Sequence, residues 1–306
     1  YILRRLLLMI PTLIAISIVS FLIIQLPPGD FLDSMLAQME AEGGKLDEQQ
    51  VTAIRARYGL DQPVWVQYLN WIGGILTRGD FGQSFEWNRP VSELMWDRLG
   101  LTVAVAFSAL IATWLIAFPI GIYSAVRKYS IGDYIFSTFG LIGLATPSFL
   151  VALILMYVAF AWFGQSVGGL FSPEYRDAPW SWGKATDLLA HIWIPLLVIA
   201  TNGTASLIRI LRANLLDELN KPYVVTARAK GLSERAVVWR HAIRLGLMPV
   251  ITYIGPATAA LVSGSFVVEK IYEIPGLGFY FINSIADRDY TMLGGVMVFY
   301  VSIVVV

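Results

Sequence analysis

The sequence predicts an all-α polytopic membrane protein with about six transmembrane helices and a helical loop outside the membrane after the first. Three observations predict it. Hydrophobic residues make up 57% of the 306 and charged residues only 14%; the mean hydropathy is +0.64; and apolar runs of crossing length recur near residues 6–26, 101–126, 133–163, 190–211, 246–268 and 291 to the end. A bilayer core about 30 Å thick takes roughly 20 apolar residues per helix, and a soluble domain of ordinary composition carries far fewer such runs.

The first run follows Arg4 and Arg5 and lacks a small-residue cleavage site, so it reads as a retained anchor over residues 1–27. A twin-arginine export signal is the alternative. Residues 28–99 form an extracytoplasmic cap loop, too long for a simple connector. Within it Val51, Ile54 and Tyr58 share a helical face that ends at Gly59, and Pro63 opens a second helix with Trp65, Leu69, Ile72 and Leu76 on one side. Packing on the membrane domain and its interface is the expected role of this face, and the ten tryptophans suit interfacial belts. Residues 100–306 form the core, with a cytoplasmic loop at 212–245. The chain stops at Val306 inside an apolar stretch, so a tail is expected beyond it.

Basic and acidic residues balance at 22 each, so only their distribution informs. With the N-terminus inside, the cytoplasmic segments (before residue 6, 127–132 and 212–245, with Arg209 and Asp133 at their edges) hold 12 of the 22 basic residues and four acids, Asp133, Asp217, Glu218 and Glu234. The outer segments hold ten basic and 18 acidic residues. Positive charge inside sets the orientation.

The span interiors are nearly bare of ionisable groups; His191 and Arg209 come nearest, each by a span end, where capping or snorkelling is the expected role. With no cysteine there is no disulfide, thiolate metal site or cysteine nucleophile, and two histidines 50 residues apart make no metal site. The Gly-Lys pairs at Gly44 and Gly183 have Met39 and Ala178 where a phosphate-binding loop needs its first glycine. Asn202, Gly203 and Thr204 match a glycosylation sequon, but within a span. No enzyme, cofactor or nucleic-acid partner is expected, and the power for transport must come from a gradient or from a partner.

The stretch TARAKGLSERAVVWRH, Thr226 to His241, is a basic interruption between two apolar runs. Local rules make it two helices and a turn. Pro222 starts the first helix, which runs to about Lys230; Gly231 ends it; Ser233 caps a second, with Glu234 at its positive end, running through Arg240 and Arg244 into the fifth span. The result is either a lever across the mouth of the bundle or a basic amphipathic loop resting on anionic headgroups.

TARAKGL with Pro249, 18 residues after Gly231, resembles the coupling loop (the EAA loop) of permease subunits of binding-protein-dependent ABC importers, most closely the B-type subunits of the dipeptide, oligopeptide and nickel branch. Further matches follow in order: Pro28-Gly29-Asp30, YGLDQP from Tyr58, Gln67 and Tyr68, GDFGQS from Gly79, Pro147-Ser148-Phe149, Glu269, IPGLG from Ile274 and DRDY from Asp287. Two departures stand out. Val225 and Thr226 occupy the places of the usual Glu and Ala, so no acid-to-arginine contact carries over, and Arg244 stands where a proline is usual.

The resemblance implies a type I importer fold in a bacterial inner membrane, N-terminus cytoplasmic, paired with a second homologous permease, two ATPase subunits that bind the ATP and magnesium, and a periplasmic binding protein. It also implies that the helix around Tyr223 to Lys230 docks on an ATPase, with Ala227, Ala229 and Gly231 as a seating surface, Arg228, Lys230 and Arg235 orienting it, and Thr226 and Leu232 completing the set. Uncharged polar residues in the spans, Thr201, Asn202, Thr204 and Ser206 in the fourth and Thr252, Thr258, Ser263 and Ser265 in the fifth, are candidates for the solute path; helix-to-helix hydrogen bonding is the competing role. Oligopeptides are the expected solute and oligosaccharides the alternative. A gradient-driven carrier or channel working alone is the reading from another class.

Overall fold

The computed structural model describes residues 2–25, 32–33, 36, 47–164, 168–176 and 178–305. Pro28, Gly29, Asp30, Met39 and Gly44 lie outside them. In chain order the helices are α1 (Ile2–Gln25), α2 (Glu48–Tyr58), α3 (Val64–Arg78), α4 (Val91–Val126), α5 (Ile131–Ala145), α6 (Ser148–Phe163), α7 (Trp182–Leu219), α8 (Pro222–Ala229), α9 (Glu234–Val237), a π-helical turn (Val238–Ala242), α10 (Ile243–Gly246), α11 (Met248–Ile271), α12 (Leu277–Ala286) and α13 (Tyr290–Val305). Among the described residues, α4, α7 and α11 are each long and apolar enough to cross a membrane, and α5 with α6 makes a fourth such length if counted as one span. The apolar stretches Leu7–Ile23 and Tyr290–Ser302 are shorter. The chain forms two compact units, Tyr1–Leu101 with Pro275–Val306, and Thr102–Ile274.

In the first unit α2 ends at Gly59, whose φ of +67° lets Leu60 N–H reach back to the Arg55 carbonyl at 2.9 Å. The side chains of Ile54 and Tyr58 lie outside the description. The core gathers on Phe21 of α1, stacked on Trp71 at 6.0 Å and edge-on to Tyr68 and Tyr290 at 5.5 Å. The predicted face of α3 divides, Ile72 packing in this core and the rest lying outside it. Trp65, Leu69 and Leu76 are exposed, whereas Trp71 is buried and Tyr68, Ile72 and Ile75 pack beside it. α3 has one broad apolar face, of which the edge carrying Trp71, Ile75 and Tyr68 turns inward, and the Trp71 indole N–H donates to the Phe81 carbonyl (3.2 Å) on that edge.

Asp289 organises the rest of this unit. Fully buried, its carboxylate accepts from the Ser84 hydroxyl, Phe85 N–H (2.9 Å), the Thr291 hydroxyl (2.7 Å) and Met292 N–H (3.1 Å). One side chain thus caps α13 and holds the Gly79–Ser84 loop; a buried carboxylate is tolerable only when so saturated.

In the second unit the single span predicted over 133–163 is broken. α5 and α6 meet at 108°. Pro147 has no N–H to donate and forces Thr146 out of the helical region (φ −90°, ψ +123°). The exposed polar groups are met locally: Thr146 donates from its N–H (3.0 Å) and hydroxyl (2.7 Å) to the Ile142 carbonyl, and the Pro147 carbonyl accepts from Leu150 and Val151. α7, much longer than the predicted 190–211, packs against α5, α6 and α11. His191 has its Nδ1 2.8 Å from the Asp187 carbonyl oxygen one turn back.

Asp133 and Arg212 tie α5 to α7 through two parallel hydrogen bonds of 2.8 Å, from Nε to Oδ1 and from Nη2 to Oδ2. Asp133 is 2% exposed and also accepts from Tyr129 N–H at 2.9 Å. Asp133→Ala leaves the guanidinium, 26% exposed, without its partner and is expected to destabilise the purified chain by about 1–3 kcal/mol, whereas the paired change Asp133→Leu with Arg212→Met restores most of it. Thermal unfolding in detergent measures both, and a single variant as stable as the paired one would refute this account.

Candidate functional site

The segment from α8 to α11 follows the local rules closely. Lys221 precedes Pro222 at the first helical position, Lys230 closes α8, and Gly231 turns with φ +79°. Nothing lies within 4 Å of a Cβ built there, so it is the backbone angle that asks for glycine. Ser233 then caps α9 by accepting from Ala236 N–H at 3.4 Å. α9, the π-helical turn and α10 continue with a single break at Leu247 into α11. A π turn adds one residue to a helical coil and rotates the faces beyond it.

Of the three small residues expected to seat this helix, Ala229 and Gly231 are exposed and Ala227 is not. Ala227 is 5% exposed and lies in an apolar cluster with Val224, Leu215, Leu219, Val237, Val238 and Ala242. It faces the chain's own core, one helical turn from Val224, because α8 must bury a stripe to stay folded at eight residues. The exposed side carries Thr226, Ala229 and Lys230, with Val225 (53% exposed) and Leu232 (41%) as its apolar points. Sequence reasoning passed over Val225 as a departure from the family pattern; at 100° per residue it lies off the stripe that Val224 and Ala227 share.

Arg228 is not a free orienting charge either. Its guanidinium donates to both Glu234 oxygens, at 3.0 and 2.6 Å, and to the Leu219 carbonyl at 3.2 Å. It clamps α8 to the end of α7 and the start of α9. The pairing holds the Glu234 carboxyl below its usual value. Tyr223, half-buried, donates to Glu218 at 2.6 Å, and burial with that carboxylate pushes its phenol up to about 12. Arg235 is exposed at the start of the second helix. Thr226 donates back to the Pro222 carbonyl at 2.9 Å.

The solute-path candidates separate. Asn202 and Ser206 line a cavity of about 200 Å³ between α4, α7 and α11, with Tyr253 opposite. Thr201 and Thr204 line a different recess, of about 240 Å³, beside Phe139 and Gly143. Thr252 and Thr258 donate to carbonyls of their own helix one turn back and lie outside both; Ser263 is exposed and Ser265 donates to the Val262 carbonyl and, at 3.3 Å, to Glu269. The structure adds Thr113 of α4 to the first cavity. It is 3% exposed, and its hydroxyl has no hydrogen-bond partner among the described residues. Being a polar residue inside a span, it met the rule that selected the others. Glu269, expected in an outer segment, is fully buried in the last turn of α11.

A short helix ending at a left-handed glycine and running on into a membrane-length helix is the geometry that the local rules predict, and comparison with known proteins places the chain that carries it. Residues 117–306 match the family model of the binding-protein-dependent transport system inner membrane component, and residues 1–106 match the model of the N-terminal part of such membrane components. The chain belongs to this family. Among relatives, the oligopeptide transport system permease protein AppB of Bacillus subtilis is 38% identical, covering 100% of this chain and 93% of that protein. The dipeptide transport system permease proteins DppB of Lactococcus lactis and of Escherichia coli are each 33% identical, covering 100% of this chain and 93% and 94% of theirs. The chain is therefore a multi-pass inner-membrane transport component, and its α8–α11 segment is read in that setting below.

Glu234 has its carboxyl lowered in the folded state, so the Arg228 pair contributes stability above the ordinary value of 4.5 and loses it as pH falls through the lowered one. Both partners are partly exposed, which holds the contribution to about 0.2–1 kcal/mol. The gap in melting temperature between the native chain and Glu234→Gln is expected at neutral pH and closes in acid. A gap independent of pH would show that the pair does not hold α8.

Proposed function

We propose that this family member is the membrane-spanning permease subunit of an ATP-driven importer of peptides, forming half of the pathway for a solute delivered by a periplasmic binding protein. A second homologous permease and two ATPase subunits complete the assembly, and ATP is bound and hydrolysed by the latter. Several relatives are named for oligopeptide or dipeptide transport, which favours peptides over oligosaccharides as the solute. Family membership leaves the stand-alone gradient-driven carrier without support. The charge census favours a cytoplasmic N-terminus and puts α8 on the same side as an ATPase.

The observation that carries the coupling role is the near-continuous path from α8 through the π-helical turn to α11. α8 is bound to its own bundle by Val224, Ala227 and the Arg228 clamp, and it presents Val225, Ala229 and Leu232 outward. A displacement of the docked face therefore passes into α11, one wall of the cavity that holds Asn202, Ser206 and Thr113. An uncharged wall of this kind suits solutes of mixed charge, with selectivity residing in the binding protein.

Ala229→Trp adds bulk on the exposed side. In the co-purified assembly it is expected to reduce binding-protein-stimulated ATPase activity to the unstimulated level while the melting temperature of the chain stays the same. Ala227→Trp overfills the buried cluster instead and is expected to destabilise the chain by about 1–3 kcal/mol. Normal stimulation in Ala229→Trp would end the docking assignment. Asn202→Ala and Thr113→Val with unchanged peptide uptake would remove those residues from the path without touching the coupling role.

A further inference from the structure

A cavity of about 650 Å³ opens in the second unit between the last turns of α4 and the π-helical turn. Phe118 and Ile122 form one wall and Val238, Trp239 and Ile243 the other, with Tyr123, Arg127, Glu234 and Arg235 around them. Position along α4 sets its depth. That helix is of membrane-crossing length and composition, it stops at Val126, and Arg127 and Lys128 follow at once. The cavity thus begins at the level of acyl chains and ends where the first cations meet water. Aromatic residues gather at that level, and Trp239 stands there 59% exposed.

The charge at its mouth is positive. Glu234 is held by Arg228 at 2.6 Å, which leaves Arg127, its guanidinium 5.6 Å from the centre of the Tyr123 ring, and Arg235, which has no ion pair among the described residues. A second protein helix would fill the apolar part and leave two cations unanswered. A zwitterionic lipid would bring its own cation to them. We propose that this groove binds an anionic phospholipid, an acyl chain lying along Phe118, Ile122 and Trp239 and the phosphate between Arg127 and Arg235. Basic pockets between membrane helices suit such headgroups. Binding does not depend on the transport reading above; a consequence that does is that the lipid, spanning α4 and the turn leading into α11, sets how readily the coupling segment moves.

The sequence has no cysteine, so a Val126→Cys variant, at an exposed position on the groove, takes a single fluorescent label. Brominated phosphatidylglycerol titrated into the purified chain in detergent is expected to quench it saturably, and brominated phosphatidylcholine only at much higher concentration. Arg127→Gln with Arg235→Gln is expected to weaken the phosphatidylglycerol half-point about 25-fold, roughly five-fold per cation removed. Arg240→Gln, exposed on the π-helical turn but outside the groove, leaves it unchanged. Equal quenching by the two lipids, or a half-point unmoved by the double change, overturns the proposal. So does loss of quenching in the co-purified assembly, which would mean that a protein partner occupies the groove; the ATPase and uptake measurements stand apart from all three outcomes.

Discussion

Hydrocarbon and packed protein alike offer a lone polar group nothing to bond with, and the main interruptions of helix among the described residues are shaped by that. Where Pro147 removes a donor, the Thr146 hydroxyl and the flanking N–H groups close the gap within one turn. Asp133 sits beneath the surface facing a guanidinium in two parallel bonds. Asp289 is buried only because Ser84, Phe85, Thr291 and Met292 all donate to it. Such groups cost several kcal/mol if left alone, so each polar interruption becomes a point where two segments are fixed.

The α8–α11 segment shows the same economy outside the apolar spans. Eight residues do not hold a helix by themselves; α8 exists because Val224 and Ala227 are inserted in a cluster with α7, α9 and the π-helical turn and because Arg228 bonds forward to Glu234 and back to Leu219. The same contacts make it stiff. The other side of α8 is bare, carrying Thr226, Ala229 and Lys230 beside Val225.

Much of this was legible in the chain itself. The apolar runs marked the helices, Pro63 and Pro222 marked two starts, and Gly59 and Gly231 marked two ends, because each depends on covalent geometry within four or five residues. Family motifs were legible as an ordered series. What they do was not: GDFGQS and DRDY lie about 200 residues apart, and nothing in either says that the Asp289 carboxylate closes on the Ser84 hydroxyl. Likewise Thr201, Asn202 and Thr204 look alike on paper, yet only Asn202 lines the cavity shared with Thr113.

The sequence by itself determined the class of the protein, its apolar segments, the caps of its α8–α11 segment and its family. Those follow from solvent transfer and from backbone angles, which act locally. Only the tertiary structure decided which side of α3 and of α8 is buried, that the third apolar run turns through 108°, and that Arg228 is a clamp. Those outcomes depend on which distant surface offers an apolar stripe or an acceptor, and a helix with a broad apolar face, or an arginine with several acceptors in reach, does not choose until the neighbours are in place.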